Sequence, residues 1–536
     1  MKLEVKKIIY VGLAFFLITT FWQTYDSIIT KILIDKFGLN QTWSGVVMAL
    51  DNVLALILLP LFGWMSDRTN SRLGRRTPYI IVGTIIGAFA FMALSFSDVR
   101  QQTMIDDNTT IVADYESLLD ANASQTYMQA WEQLYVDMLF ERQGALSSGM
   151  IDQATFDRFE SNIANPIAQI LYAGGQLRPM IETEESEILT DAYYLYLNNR
   201  AWELTVSNPT NFIVFIGVLF IALVSMSTFR SPAVALMPDV TIKPLRSKAN
   251  AIINLLGTFG GILAILILTV FGLDRLSYVN YTAAFISVGV IMLFLLAIFL
   301  WKVREPKLVQ ERELLEIKLN IQDVEEEVTE ASQELDKEKK IALYLILASI
   351  FLWFFGYNAV TTKLSDYAPK VFDMGFTIPL LVAQGAALVA FVPIGILATR
   401  IGRKKTILMG IALLTFCFGS IYFFVSPTPL VFVIFGLTGI AWATINVNSF
   451  PMVAELAKGS NVGKYTGYYY TFSMAAQILT PIFSGILMDM FSRRILFPYA
   501  TIFVALSFFT MMMVKHGDAI LIKKDGLLES FDVDMD

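Results

Sequence analysis

The sequence predicts an all-α membrane protein of twelve transmembrane helices in two six-helix pseudo-repeats, with an extracytoplasmic, mostly helical insertion. Three observations predict it. Of 536 residues, 55% are hydrophobic and only 16% are charged, against roughly 25% charged in an average soluble domain, so lipid must solvate most of the surface. Apolar stretches that can cross a hydrocarbon core of about 30 Å, which takes about 20 helical residues, recur along the chain. Motifs of the first part also return in the second at a fixed offset.

The stretches are 8–34, 43–66, 78–97, 210–230, 247–271, 279–301, 341–364, 378–398, 406–425, 428–450, 465–488 and 495–514. The opening MKLEVKK and the apolar run behind it lack a small-residue cleavage site, so the first helix is expected to be retained. Basic residues collect on alternate connections: Lys2, Lys6 and Lys7; Arg68, Arg72, Arg75 and Arg76; Lys243, Arg246 and Lys248; Arg400, Arg403, Lys404 and Lys405; Lys515, Lys523 and Lys524. The positive-inside bias then places both termini and the even-numbered connections in the cytoplasm, and the chain is expected in a bacterial cytoplasmic membrane. Arg493 and Arg494 go against this, since they fall on a connection expected outside. The expected organisation is helices 1–3 in 1–97, an acidic insertion in 98–208, helices 4–6 in 209–301, a cytoplasmic linker helix in 302–340, the C-terminal bundle in 341–514 and a cytoplasmic tail in 515–536.

Asp98–Asn208 holds five arginines, no lysine and eighteen acidic residues, a net charge of −13 that leaves +6 on the rest. A lysine-free acidic segment suits the outer face and argues against nucleic acid or anionic lipid as its partner. Apolar residues at helical spacing in YMQAWEQLYVDMLFERQG and ESEILTDAYYLYLNNRAWEL predict a small helical cap, either a decoration or an element that gates substrate or binds a partner. LVQERELLEIKLNIQDVEEEVTEASQELDKEKK, between the halves, reads as a charged amphipathic connector.

The single cysteine, Cys417, excludes an internal disulfide, and the single histidine, His516, leaves no cluster for zinc or haem. No nucleophile–base set can be assembled within the spans, so neither an enzyme nor a resident cofactor is expected.

The repeat fixes the architecture. Tyr25-Asp26-Ser27-Ile28-Ile29-Thr30-Lys31 returns as Tyr357-Asn358-Ala359-Val360-Thr361-Thr362-Lys363, 332 residues on; Gly63 and Arg68 return as Gly395 and Arg400 at the same offset. Trp22 has a near counterpart in Trp353, and Gly74-Arg75-Arg76 maps to Gly402-Arg403-Lys404 at 328. Asp239, after helix 4, corresponds to Glu455, after helix 10, at only 216; the lost 112 residues are about the length of Asp98–Asn208. Two such halves meeting around a midplane site are a transporter architecture.

GWMSDRTNSRLGRR after helix 2, echoed by GILATRIGRKK after helix 8, resembles the signature loop of the major facilitator superfamily. Gly63 would permit close packing, Asp67 would pair with cations of the neighbouring half, and Arg68, Arg75, Arg76, Arg400 and Arg403, with Asp239 and Glu455, would form a latch broken in one access state. Thr399 stands in the second copy where Asp67 stands in the first. LDNVLALILLPLFGWMSDRTNSRLGRRTPYIIVG, RSPAVALMPDVTIKPLRSKANAIINLLGTFGG and YTGYYYTFSMAAQILTPIFSG further resemble bacterial relatives of sucrose transporters, near the glycoside-pentoside-hexuronide symporters. The resemblance implies secondary active, proton-coupled symport of a sugar, a disaccharide or other glucoside, by a monomer in the bilayer. An exporter of another small molecule on the same fold is the alternative, and a membrane sensor that uses the cap is a more distant one. Where plant sucrose carriers have an arginine shortly before the acid after helix 4, this chain has Val234, with Arg230 a turn earlier. Leu59 and Pro60 stand where melibiose-type carriers pair aspartates, so sodium coupling of the melibiose type is not supported, while the choice between a proton and sodium as the coupling ion stays open.

Ionisable groups at membrane depth usually mark a pathway or a counter-charge. Asp26 and Asp51 should lie at similar depth on antiparallel helices and are the proton-coupling candidates; the bland alternative is a static ion pair of Asp26 with Lys31 or Lys363. Substrate candidates, chosen for hydroxyl-bonding amides and ring-stacking aromatics, are Trp22, Gln23, Tyr25, Asn52, Trp353, Tyr357, Asn358, Gln384, Asn446, Asn448 and Gln477, with Lys363 and Asp366 as a possible pair on one helical face. For Arg230, packing or a lipid headgroup contact competes with substrate contact.

Overall fold

A computed structural model describes residues 5–109, 111, 124–242, 245–275, 278–318, 337–456 and 462–515. Twelve helices among them are long and apolar enough to span a bilayer, and the chain is an integral membrane protein. In chain order, α1 (Val5–Lys31), α2 (Gln41–Arg68) and α3 (Thr77–Asp106) precede the insertion. The insertion holds α4 (Ser124–Ser147), α5 (Gln153–Phe159), α6 (Asn165–Leu171) and α7 (Thr183–Ser207), with a small hairpin of β1 (Tyr172–Ala173) and β2 (Gln176–Leu177). α8 (Thr210–Val240), α9 (Arg246–Val270) and α10 (Thr282–Lys302) complete the first half, and α11 (Glu305–Lys318) leads away from it. The second half is α12 (Lys337–Val371), α13 (Thr377–Ile401), α14 (Arg403–Ile421), α15 (Pro429–Leu456), α16 (Val462–Met490) and α17 (Leu496–Met512). The expected connector helix beyond Lys318, and the tail from His516, lie outside the described residues.

The pairings of the first half recur in the second. α1 on α9, α3 on α8, α3 on α10, α2 on α8 and α1 on α10 correspond to α12 on α16, α14 on α15, α14 on α17, α13 on α15 and α12 on α17. Between halves, α2–α16 mirrors α9–α13, and α1 meets its counterpart α12 at the axis. There Thr30 Oγ1 donates to the carbonyl of Thr362, its own repeat equivalent, at 3.4 Å. Lys363 Nζ reaches across to the Gln41 carbonyl at 2.9 Å, and its equivalent Lys31 reaches the other way, to 5.7 Å from the Phe376 ring centroid. Exchanged contacts of this kind are what a pseudo-two-fold axis produces.

The halves are held together at the end that bears the insertion, the cap end. A Cβ at Gly45 would lie 2.1 Å from the Pro481 carbonyl, and one at Gly485 would lie 2.4 Å from that of Gln41, so α2 and α16 touch backbone to backbone there. Farther along α2, Val53, Ile57, Leu61 and Trp64 form an exposed stripe at helical spacing.

Several helices run past the apolar stretches that predicted them, α3, α8 and α12 by the most. α3 continues to Asp106 because its polar last turns find buried partners: Asp98 pairs with Lys36 at 2.6 Å and accepts from the Tyr281 amide at 2.9 Å. Asp98 therefore belongs to the bundle, and the insertion begins after α3. α12 likewise runs to Val371 and carries Asp366 and Lys370 into the interface between the halves. The insertion has a core of its own, around Trp131, Met138, Phe159, Ile167, Tyr193 and Leu197. Part of its charge is spent internally, on Arg142–Glu203 at 2.6 Å and Arg200–Glu141 at 2.6 Å.

Small residues set the helix spacing elsewhere too: a Cβ on Gly439 of α15 would stand 1.9 Å from the Ala383 carbonyl of α13. Gly439→Val is expected to cost about 1–3 kcal/mol by forcing these helices apart. Gly217→Val, where nothing lies within 4 Å, should leave the thermal unfolding midpoint of the purified protein where it is.

Candidate functional site

At mid-depth the first half gathers two carboxylates, one guanidinium and a group of amides and rings. Asp26 of α1 and Asp51 of α2, both half-buried, lie close enough for their charges to act on each other. Asn52 Nδ2 donates to the Asp51 carboxylate at 2.8 Å. The Arg230 guanidinium stands 5.9 Å from the Trp22 ring centroid, and its charge also reaches Asp51. Arg230 therefore faces the bundle interior, which decides between the readings left open for it against a lipid headgroup. From the second half, Gln384 Nε2 donates to Gln23 Oε1 at 2.7 Å.

In the second half, Tyr357 lies flat on Trp442, with ring centroids 3.6 Å apart and planes 3° from parallel, and Phe354 meets Trp442 edge-on. Asn358, Asn446 and Gln477 are half-buried. Trp442 escaped the sequence reading because a lone tryptophan in an apolar helix does not reveal which side it faces. Three candidates are placed elsewhere than expected. Tyr25 and Trp353 are fully buried, Tyr25 stacked on Phe21, and act as packing. Asn448 is buried and turns its amide back onto the Thr444 carbonyl at 2.9 Å.

Lys363 and Asp366 lie in the closure at the cap end. Lys370 of α12 binds both Asp35, just past the end of α1, and Asp366 of its own helix. Asp366 also accepts from Gln41 Nε2 at 2.6 Å and from Arg493 Nε at 3.1 Å. Asp489 of α16 receives the amides of Gln41 and Thr42 at 2.9 and 2.8 Å, so one half caps a helix of the other. Asp274, after α9, accepts from Thr377 Oγ1 at the start of α13. Asp35, Lys370 and Arg493 were missed because each lies at or beyond the end of an apolar stretch.

At the opposite end the duplicated loop works differently from its expected role. Gly63 does permit close approach, since a Cβ there would lie 2.8 Å from Ser231 Oγ of α8. Asp67, however, pairs within its own half: Arg76 binds Asp67 at 2.5 Å and Asp239 at 2.8 Å and donates to Ser66 Oγ at 2.6 Å. Arg68 stacks on Trp64 at 4.1 Å, and the Arg75 and Arg400 side chains are exposed. Arg403 is half-buried, and the Glu455 side chain lies outside the described residues. The buried carboxylate of Glu305, unmarked in the sequence, accepts from the amides of Arg75, Arg76 and Thr77 at 2.6, 3.0 and 2.8 Å and from Thr77 Oγ1 at 2.7 Å. It thereby satisfies the amino end of α3.

A bundle of two six-helix halves with this loop is matched by the sequence model of the Major Facilitator Superfamily over residues 201–408 and 380–524. The chain belongs to the major facilitator superfamily. Members of this superfamily are transporters and not enzymes. A second model, for MFS/sugar transport proteins, matches residues 9–103, so the two matches leave out 104–200, nearly all of the insertion. The General alpha-glucoside permease of Schizosaccharomyces pombe is 28% identical over 62 residues, 12% of this chain and 11% of that one. Sucrose transport protein SUC4 of Arabidopsis thaliana is 29% identical over 73 residues, 14% of each chain. This chain thus spans 11% and 14% of the length of these curated relatives. Among solved structures, the inward-open xylose transporter XylE of E. coli is similar at a TM-score of 0.57 and 13% identity, over 95% of this chain and 96% of that one. A peptide transporter POT in complex with alafosfalin reaches 0.54 at 10% identity, over 95% and 93%. Neighbours with such different cargo establish the fold and leave the substrate to the site.

Within this major facilitator protein, Glu305→Ala would leave three amides and a hydroxyl at the head of α3 without their charged acceptor. The expected loss is about 2 kcal/mol, read as a lower midpoint of heat-induced aggregation in detergent. Substitution of exposed Arg75 by Ala should leave that midpoint unchanged.

Proposed function

We propose that the chain takes up a sugar, a disaccharide or other glucoside, together with a proton, by alternating access. The cap end then faces outward, both termini lie in the cytoplasm, and the state described above is the inward-facing one. Each half supplies one wall of the path, so a single chain suffices as the transporting unit.

The observation that carries this reading is the cluster of Asp26, Asp51 and Arg230 beside Trp22, Gln23 and Asn52. Two carboxylates and one guanidinium leave the cluster one negative charge in excess when both acids are ionised, and one proton makes it neutral. A neutral, loaded carrier can rearrange without moving net charge through the low-dielectric interior. The neighbouring amides offer donors and acceptors for hydroxyl groups, and the Trp22 and Tyr357–Trp442 rings offer faces for the apolar side of a pyranose. The short matches to an alpha-glucoside permease and a sucrose carrier support the same substrate class.

In right-side-out vesicles, an inward proton gradient of one pH unit is expected to drive up to about tenfold accumulation of a labelled glucoside at one proton per sugar. Asp51→Asn should abolish accumulation while leaving exchange of sugar for sugar. Accumulation by Asp51→Asn equal to the unaltered protein would contradict the assignment, and proton-driven efflux in place of uptake would favour the exporter.

A further inference from the structure

The insertion touches both halves, and the two contacts differ in kind. On the first half it is rooted. Asn198 of α7 donates to the carbonyls of Ile34 and Leu39 at 3.0 and 3.2 Å, so it ties the turn between α1 and α2 to the insertion. That turn comes so close that only glycine fits: Gly38 has a φ of +70°, and a Cβ on it would lie 2.2 Å from the Trp202 amide nitrogen. Near the end of α7, Gln101 of α3 donates to Thr205 Oγ1 at 3.2 Å.

On the second half α7 makes a different contact, at side chains that already close the cap end. Asp191 binds Arg493, between α16 and α17, at 3.2 Å. One turn along α7, the Tyr194 ring lies 5.0 Å from Lys370 Nζ and 5.9 Å from the Arg493 guanidinium. Arg493 and Lys370 both bind Asp366, and Lys370 also binds Asp35. The insertion thus places a carboxylate and a ring face on the outer side of the same two cations.

We propose that the insertion is a working part of the gate: anchored to the first half, it uses Asp191 and Tyr194 to clamp Arg493 and Lys370 of the second, and the clamp opens each time the cap end opens. A rigid-body separation of the halves at this end carries Arg493 and Lys370 away from Asp191, Tyr194 and Asp35 together. The clamp adds to the closed state and nothing to the open one, so it sets the balance between them. The Asp191 side chain is 45% exposed and that of Arg493 16%, so this contact is a modest weight on the balance; the buried Lys370–Asp35 pair is the main lock. The clamp also gives Arg493 a place on a connection where positive charge was not expected, because its charge is taken up by Asp366 and Asp191.

The test is a distance measurement that needs no substrate and is therefore independent of the sugar and proton assignments. In the full chain with Cys417→Ala, spin labels at Thr103→Cys, at the cap end of α3, and Phe423→Cys, after α14, report the separation of the halves by double electron–electron resonance in lipid nanodiscs. Asp191→Asn is expected to raise the open-to-closed population ratio about threefold, and Asp191→Asn with Tyr194→Leu about tenfold. A distance distribution unchanged by the double substitution, or shifted toward the closed separation, would overturn the proposal. The Asp191 site tolerates the change, since the side chain is half exposed; a melting midpoint equal to that of the parent confirms that the fold is intact.

Discussion

Charges buried between two bodies that must separate are the constraint on which this structure turns. Lys370, Asp35 and Asp366 are almost wholly withdrawn from solvent, and Asp35 sits on a different half from the other two. Removing one partner of such a set leaves an uncompensated charge, typically at a cost of about 3–5 kcal/mol. Parting the halves, by contrast, exchanges the Lys370–Asp35 pair for water on both sides while Asp366 keeps Lys370 beside it on its own helix, so the large Coulomb and hydration terms offset each other. An interface of this composition is strong when shut, yet it has an open state within reach. A purely apolar seam would have no such exchange to offer once wetted.

The rest of the architecture serves that seam. Matched helix pairings make the halves rigid, and backbone contact at Gly45 and Gly485 brings α2 and α16 close enough for Asp489 to receive the amides of Gln41 and Thr42. At the other end Arg76, Asp67, Asp239 and Glu305 are paired within one half, so those charges do not themselves hold the halves together in this state. The central carboxylates, Asp26 and Asp51, lie within α1 and α2 between the two ends. The superfamily's fold supplies this frame; the insertion, left out by both family matches, adds a second hold on the cations of the seam.

Much of this was legible in the residues. Hydropathy gave the number and order of the spans, and the 332-residue offset gave the symmetry so closely that Thr30 and Thr362 prove to be in contact across the axis. Equal depth on antiparallel helices predicted Asp26 and Asp51 as neighbours, and the charge of Asp51 does act on Asp26. What stayed hidden was direction and partnership. A helix apolar on every side does not tell which face Trp442 or Arg230 presents, and it made the buried Trp353 look like a wall residue. Apolar windows stop at the first charges, so Asp98 read as the start of the insertion and Lys370 as part of a loop. Asp67 was assigned a partner across the halves, whereas Arg76, nine residues on, folds back to it.

The most direct test of the central claim, that transport requires the halves to part at the cap end, is a covalent staple across the axis. With Cys417→Ala, cysteines at positions 30 and 362, where the repeat-equivalent threonines meet, are oxidised, and uptake of the sugar carried by the unaltered protein is measured before and after reduction. The account predicts that cross-linked protein is inactive and regains uptake when reduced. Undiminished uptake by fully cross-linked protein would contradict it.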